Sequence, residues 1–251
     1  MSLDPIESDA FGFILLVERH YAGLIRTVNL MPGSEPSLGG KLLYAGQLNA
    51  EARALLIAAN IAGAASMTIS ADASAGKQAI RDGVVDFLVT TLDEALRILK
   101  NEIRKRETVA VCVALPPGTS EADFAQEMVE RGVLPDFERP AASATSEEGQ
   151  VLLAWRVDSA PAIWLPKLDA VAADCLEPEN QAARRWLRLA PRYLGKLAQG
   201  ERLMRCSETS AAIFMERMRE QVESAQIEVT VEVRLSRVGH SERHRITPLV
   251  C

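Results

Sequence analysis

The feature that most constrains this chain is a regular alternation between residues 41 and 131, where short apolar runs are separated by longer stretches with helical periodicity. The runs are Lys41-Leu-Leu-Tyr-Ala-Gly46, Ser66-Met-Thr-Ile-Ser70, Val84-Val-Asp-Phe-Leu-Val89 and Thr108-Val-Ala-Val-Cys-Val-Ala114. Each is apolar along its length rather than at every second residue, as strands covered on both faces require. A strand–helix–strand repeat predicts parallel strands in one sheet, with right-handed crossovers that place helices on both faces. The fold class is therefore α/β, a parallel sheet flanked by helices.

Local signals fix the helices between these runs. Asn49 is placed to cap a helix over 50–62, because its side chain can accept from an early backbone N–H. A second helix spans about 73–81. Thr91-Leu-Asp-Glu94 is a capping-box pattern that opens a helix to about residue 106, with Leu92, Ala95, Leu96 and Leu99 on one face. Pro116-Pro-Gly118 marks a turn, Ser120-Glu-Ala-Asp123 caps a helix to 131, and Val133-Leu-Pro-Asp136 begins another segment. Ahead of the alternation, 11–30 reads as a helical arm carrying Phe13, Leu16, Val17 and Tyr21 at spacings of three and four. The Pro- and Gly-dense stretch 31–40 breaks it.

Residues 140–150 are small and polar and are the best linker. The expected division is 1–139 for the arm and parallel-sheet domain, and 151–251 for an α+β region packing on or extending it. In that region 151–157 and 162–165 read as strands, with Pro161 and Pro166 as boundaries. Helices are expected over 179–198 and 208–222, the second with Ala211, Phe214, Met215, Met218 and Val222 as an apolar stripe. Residues 226–235 alternate strictly and predict a strand with one wet face, returning through a turn at 238–240 as a hairpin with 245–250. Trp155, Trp164 and Trp186 are expected to anchor this region.

Composition narrows the function. With 251 residues, 48% hydrophobic and 25% charged, the chain is an ordinary globular sequence. No apolar run of about 18 residues is present and no signal peptide is visible, so neither a membrane nor secretion is expected. Four cysteines without a Cys-x-x-Cys pair point to a reducing compartment, and the cytoplasm is expected. A net charge of −6 argues against a nucleic-acid partner. Charge is locally segregated, however: Arg184, Arg188, Arg192 and Lys196 recur every four residues, interrupted by Pro191. A solvated helical face is favoured there over an anion or acidic-partner site. His240 and His244 have a spacing that suits a metal on a helix, but they fall in a predicted hairpin and no metal site is expected. With His20 as the only other histidine, no Ser-His-Asp or Cys-His constellation stands out, and no catalytic residue is assigned.

A more specific signal runs through the parallel-sheet region. Gly40-Lys-Leu-Leu-Tyr-Ala-Gly46, Ala58-Ala-Asn-Ile-Ala-Gly63, Asp86 with Thr90-Thr-Leu-Asp-Glu-Ala-Leu96, Val109-Ala-Val111 and above all Glu130-Arg-Gly-Val-Leu-Pro-Asp136 follow one another in order. In order and spacing they resemble the NAD-binding, Rossmann-like domain of the urocanase (urocanate hydratase) family. His20-Tyr-Ala-Gly23 is a weaker match. The resemblance implies a Rossmann-like sheet, a dinucleotide cleft and a place in histidine catabolism, where the family's NAD acts as an electrophile joined to the substrate.

The chain departs from that pattern where chemistry is expected. The turn after the first strand contains one glycine, Gly46, followed by Gln47, Leu48 and Asn49, where the family has a glycine-rich loop. Ser70 stands where an acid is expected after the second strand, with Asp72 nearby. Glycines let a backbone approach a pyrophosphate, and side chains at Leu48 or Glu51 obstruct that approach. Gly46, Gln47, Leu48, Asn49, Ser70 and Asp72 are therefore the candidate cofactor-binding positions, in a site that reads as eroded. The family's substrate domain has no visible counterpart. The expectation is a stand-alone relative of the urocanase NAD-binding domain without urocanate hydratase activity. One alternative is an NAD-binding subunit or divergent urocanase acting with a separate chain; another is a non-enzymatic scaffold or interaction protein. Partners left open are a small-molecule or dinucleotide ligand, a protein partner and a homo-oligomer.

Overall fold

A computed structural model of the chain describes residues 5–27, 35–138, 149–237 and 240–248. The first helix, α1 (Pro5–Arg26), begins earlier than the expected arm and ends before residue 30. Ile14, Val17, Tyr21, Leu24 and Ile25 are buried at the spacing of one helical face. Residues 31–34 of the predicted breaker at 31–40 and all but the end of the 140–150 linker lie outside the described residues. The chain divides into two compact units, one of residues 16–29 and 36–143, the other of 1–15, 30–35 and 144–251.

In the first unit the elements run β1 (Leu42–Gln47), α2 (Ala50–Ala62), β2 (Ala65–Ser70), α3 (Ala73–Arg81), β3 (Phe87–Val89), α4 (Leu92–Lys105), β4 (Val109–Ala114), α5 (Glu121–Glu130) and β5 (Phe137–Glu138). The strands form one parallel sheet in the order β3-β4-β2-β1-β5. This is a Rossmann-like α/β arrangement. On one face Tyr44, Met67, Ile69, Val111 and Val113 pack against Leu92, Leu96 and Leu99 of α4 and Phe124 and Met128 of α5. Helices α2 and α3 pack on the opposite side, where Thr68 and Cys112 are buried.

Caps set the helix bounds. Asn49 Oδ1 accepts from the Ala52 N–H at 2.9 Å and starts α2, and Gly63, at φ 95°, ends it in the left-handed conformation that glycine adopts without strain. Ser120 and Asp123 form a reciprocal capping box on α5. Thr91 Oγ1 accepts from the Glu94 N–H, while the Glu94 carboxylate reaches the Thr90 N–H at 3.0 Å.

Two aspartates clamp the amino edge of the sheet. Asp136 accepts from the Lys41 ammonium at 2.8 Å and the Leu42 N–H at 2.9 Å, and its own N–H donates to the Leu42 carbonyl. Asp86 does the same for β4, accepting from the Ala110 N–H and donating to the Ala110 carbonyl, both at 2.8 Å. The expected third strand over 84–89 is shorter for this reason. Val84 and Val85 donate back to the Ala79 carbonyl, and pairing starts only after Asp86. A fifth strand, β5, joins the four expected ones.

The second unit contains β6 (Gln150–Val157), α6 (Pro161–Asp174), α7 (Gln181–Leu194), a 3-10 turn (Gly195–Gln199), β7 (Glu201–Ser207), α8 (Glu208–Glu223), β8 (Val231–Arg237) and β9 (His240–Ile246). Its sheet is antiparallel, in the order β7-β6-β8-β9. The hairpin of β8 and β9 is present, but its register differs from expectation: Glu232 faces Arg245, so the return strand starts at His240. The strand expected at 162–165 is instead the start of α6. Pro161 occupies the first helical turn, where its missing N–H costs nothing, and Pro166 is tolerated inside. The helix expected to reach 198 stops at Leu194 and tightens into the 3-10 turn, while Pro191 sits within α7 without ending it.

Trp155 is fully buried with its ring 5.3 Å from that of Phe214, a contact worth about 0.5–1.5 kcal/mol beyond burial. Its indole N–H donates to Asp169, which also accepts from Arg202 Nε at 3.0 Å. Burial raises the Asp169 carboxyl above its ordinary range, against the Arg202 charge that favours ionisation. Trp186 donates to the Leu203 carbonyl, whereas Trp164 is only half-buried and carries Lys167 over its ring. The basic face of α7 is engaged within its own unit, since Arg185 and Arg188 pair with Glu35 and Arg184 donates to the Leu176 carbonyl.

Candidate functional site

In an open parallel sheet, ligands are held beyond the carboxyl ends of the strands. In this unit that edge brings together the turn after β1, the turn after β2 and the start of α5. Gly46 has φ 71°, a conformation that excludes most side chains. Its carbonyl accepts from Thr68 Oγ1 at 2.7 Å, and the Leu48 N–H donates to the Ile69 carbonyl at 2.8 Å. The two turns are thereby tied side by side.

The sequence-selected positions fall here as neighbours, and most of their polar groups serve the backbone. Gln47 and Leu48 are half-buried. Asn49 caps α2. The Ser70 hydroxyl is buried, donating to the Asp72 carbonyl at 2.8 Å and accepting from its N–H at 3.2 Å. Asp72 caps α3, accepting from the Ser74 N–H and hydroxyl at 2.8 Å each. Those bonds, from the Ser74 hydroxyl first, hold its carboxyl below the ordinary range.

Two further residues belong to this edge. Glu121 opens α5, and its Oε1 lies 2.7 Å from where a Cβ on Gly46 would stand. Tyr44, two residues before Gly46, stacks on Phe124 of α5 with ring centroids 6.3 Å apart. Its side chain is 8% exposed and its hydroxyl has no hydrogen-bond partner among the described residues. Burial, then the charges of Glu121 and Glu138, push its ionisation far above the ordinary range, so the hydroxyl stays protonated. Tyr44 lies near the end of the first apolar run of the sequence. Glu121 carries no local signal, because only the strand order sends α5 across β2 and β1.

The remaining histidine pair lies on β9. Glu242 is bracketed by His240 at 3.0 Å and His244 at 3.4 Å on alternate residues of β9. Among the described residues no group of three His, Cys, Asp or Glu is placed to hold a metal ion. No described helix is long and apolar enough to cross a membrane.

The clamps at Asp86 and Asp136, the left-handed Gly63 and the cap at Thr91 are the residues that carry the family landmarks, now seen on one parallel sheet. Residues 25–147 match the family model of the urocanase Rossmann-like domain. The match covers just under half of the 251 residues and falls almost wholly within the first unit. In this urocanase-like unit the strongest landmark, Leu134-Pro-Asp136, has a structural explanation: its aspartate joins β5 to β1.

Proposed function

We propose that the urocanase-like unit has lost its dinucleotide site, and that the chain works as a ligand-binding or scaffold protein without urocanate hydratase activity. The observation that carries this reading is the Glu121 carboxylate lying over Gly46, where a pyrophosphate would approach the turn. A diphosphate there meets a like charge at Glu121 and another at Glu51 in the first turn of α2. It also loses the Ala52 N–H to the Asn49 cap, and Ser70 and Asp72 are bonded to their own loop. The turn from Gln47 to Ala52 contains no Lys or Arg to offset this. The residues present do not fit NAD in the manner of the family.

The other reading, an NAD-binding subunit acting with a separate chain, is favoured by one observation: Gly46 keeps the positive φ that a tight dinucleotide turn uses. A cytoplasmic location belongs to the same proposal, supported by Cys112, Cys175 and Cys206, which are buried and unpaired.

Denaturing the purified protein and analysing the released material by ultraviolet absorbance and mass tests the reading. No nicotinamide nucleotide should be recovered, calorimetry at about millimolar NAD should show no binding, and urocanate absorbance should persist with NAD added. Bound nucleotide, or urocanate consumption proportional to protein, overturns it in favour of the subunit reading.

A further inference from the structure

The edge that is unsuited to an anion has the features of a site for the opposite charge. Tyr44 and Glu138 are register partners on β1 and β5, so their side chains leave the sheet on the same side. Glu121 enters that side from α5 above Gly46. Neither Glu121 nor Glu138 has a hydrogen bond or ion pair among the described residues, and both act electrostatically on the Tyr44 hydroxyl. A buried hydroxyl with no partner is costly, by an amount comparable to a lost hydrogen bond. Gly46 leaves room beside this cluster, because the only atoms within 4 Å of where its Cβ would stand belong to the movable end of Glu121.

We propose that Tyr44, Glu121 and Glu138 bind a small organic cation with N–H donors, an alkylguanidinium or alkylammonium group, at the edge where the family holds a dinucleotide. The carboxylates accept from the N–H groups, and binding draws Glu121 off Gly46 so that the neutral Tyr44 hydroxyl gains a partner. A metal ion is disfavoured because two carboxylates and a protonated phenol give too few hard ligands, in keeping with the absence of a three-residue cluster among the described residues. The proposal rests on the reading that this edge has lost its dinucleotide.

Calorimetry on the full chain at low salt, with ethylguanidine and butylamine as probes and NAD and inorganic phosphate as the anionic arms, tests it. One or both cations should bind at millimolar concentration and the anions should not. Glu121→Gln and Glu138→Gln should each weaken binding about tenfold, as expected for loss of a charge-assisted hydrogen bond. Glu130→Gln, the same charge change at the far end of α5, should leave affinity unchanged. Tyr44→Phe should weaken binding several-fold, and because it is buried its fold is checked by circular dichroism. The exposed Glu121 and Glu138 variants decide the matter if it unfolds. Silence from both cations at about 10 mM overturns the proposal, as does equal weakening by all three glutamate variants. NAD binding would overturn the loss of the dinucleotide site itself, so the two failures are distinguishable.

Discussion

At the amino edge of the parallel sheet, side-chain carboxylates bond across strands: Asp136 holds β5 to β1, and Asp86 holds β3 to β4. At the carboxyl edge the polar groups turn inward on their own loops, with Asn49 on α2, and Ser70 and Asp72 on the start of α3. Landmark residues Gly63, Asp86 and Asp136 lie at the first edge, whereas at the second edge Gly46 and Thr91 sit beside the positions that differ from the resemblance, Gln47 to Asn49 and Ser70. The sheet thus matches the family model while much of the polar side-chain capacity at its carboxyl edge is bonded within its own loops.

The largest test of that contrast is Asp136→Ala. It strands the Leu42 N–H and removes the partner of Lys41, and should cost about 2–3 kcal/mol by urea unfolding. The same clamp gives a pH signature. Burial alone would raise Asp136, but the Lys41 and Leu42 bonds more than offset it and the folded pKa is lowered. Its contribution is then fully present above the unfolded value of about 3.9 and is lost as pH falls through the folded value. Acid destabilisation should be shallower in the variant than in the parent. If the two curves run parallel, Asp136 is not a clamp.

Gly46→Ala should cost about 1.5 kcal/mol, mainly because alanine is strained at φ 71°. The Glu121 contact adds little, since that side chain end can move. A cost above that of Asp136→Ala would make the carboxyl edge the more important framework and break the contrast. Asn49→Ala should cost least, about 1 kcal/mol, by removing one cap. It would also free the Ala52 N–H, so NAD affinity gained in this variant would show that the cap, and not Glu121, keeps a dinucleotide out.

Much of the first unit was legible because its signals are local. The bounds of α2 and α3 follow from Asn49, Gly63 and Asp72, each acting within a few residues of itself. What was missed depends on partners distant in sequence. The two-residue β5 has no periodicity of its own and exists because Asp136 fixes it beside β1. β7 carries Glu201, Arg202 and Arg205 among its apolar residues, and its strand character comes from pairing with β6. At 162–165 the two prolines suggest borders of a strand, whereas Pro161 is equally compatible with the first turn of a helix, and there α6 begins. In the candidate site the Gly46 turn was legible from its residue type. The position of Glu121 over it depends on strand order, which no local pattern encodes.

The outermost strand of the second unit has a consequence of its own. β9 is an edge, and from His240 to Arg245 every residue is His, Ser, Glu or Arg. An open strand edge is a template on which another chain can polymerise through its backbone. Here an incoming strand would have to strip water from a dense row of ionic side chains before gaining any ladder bond, so this edge of the sheet is guarded against fibril growth.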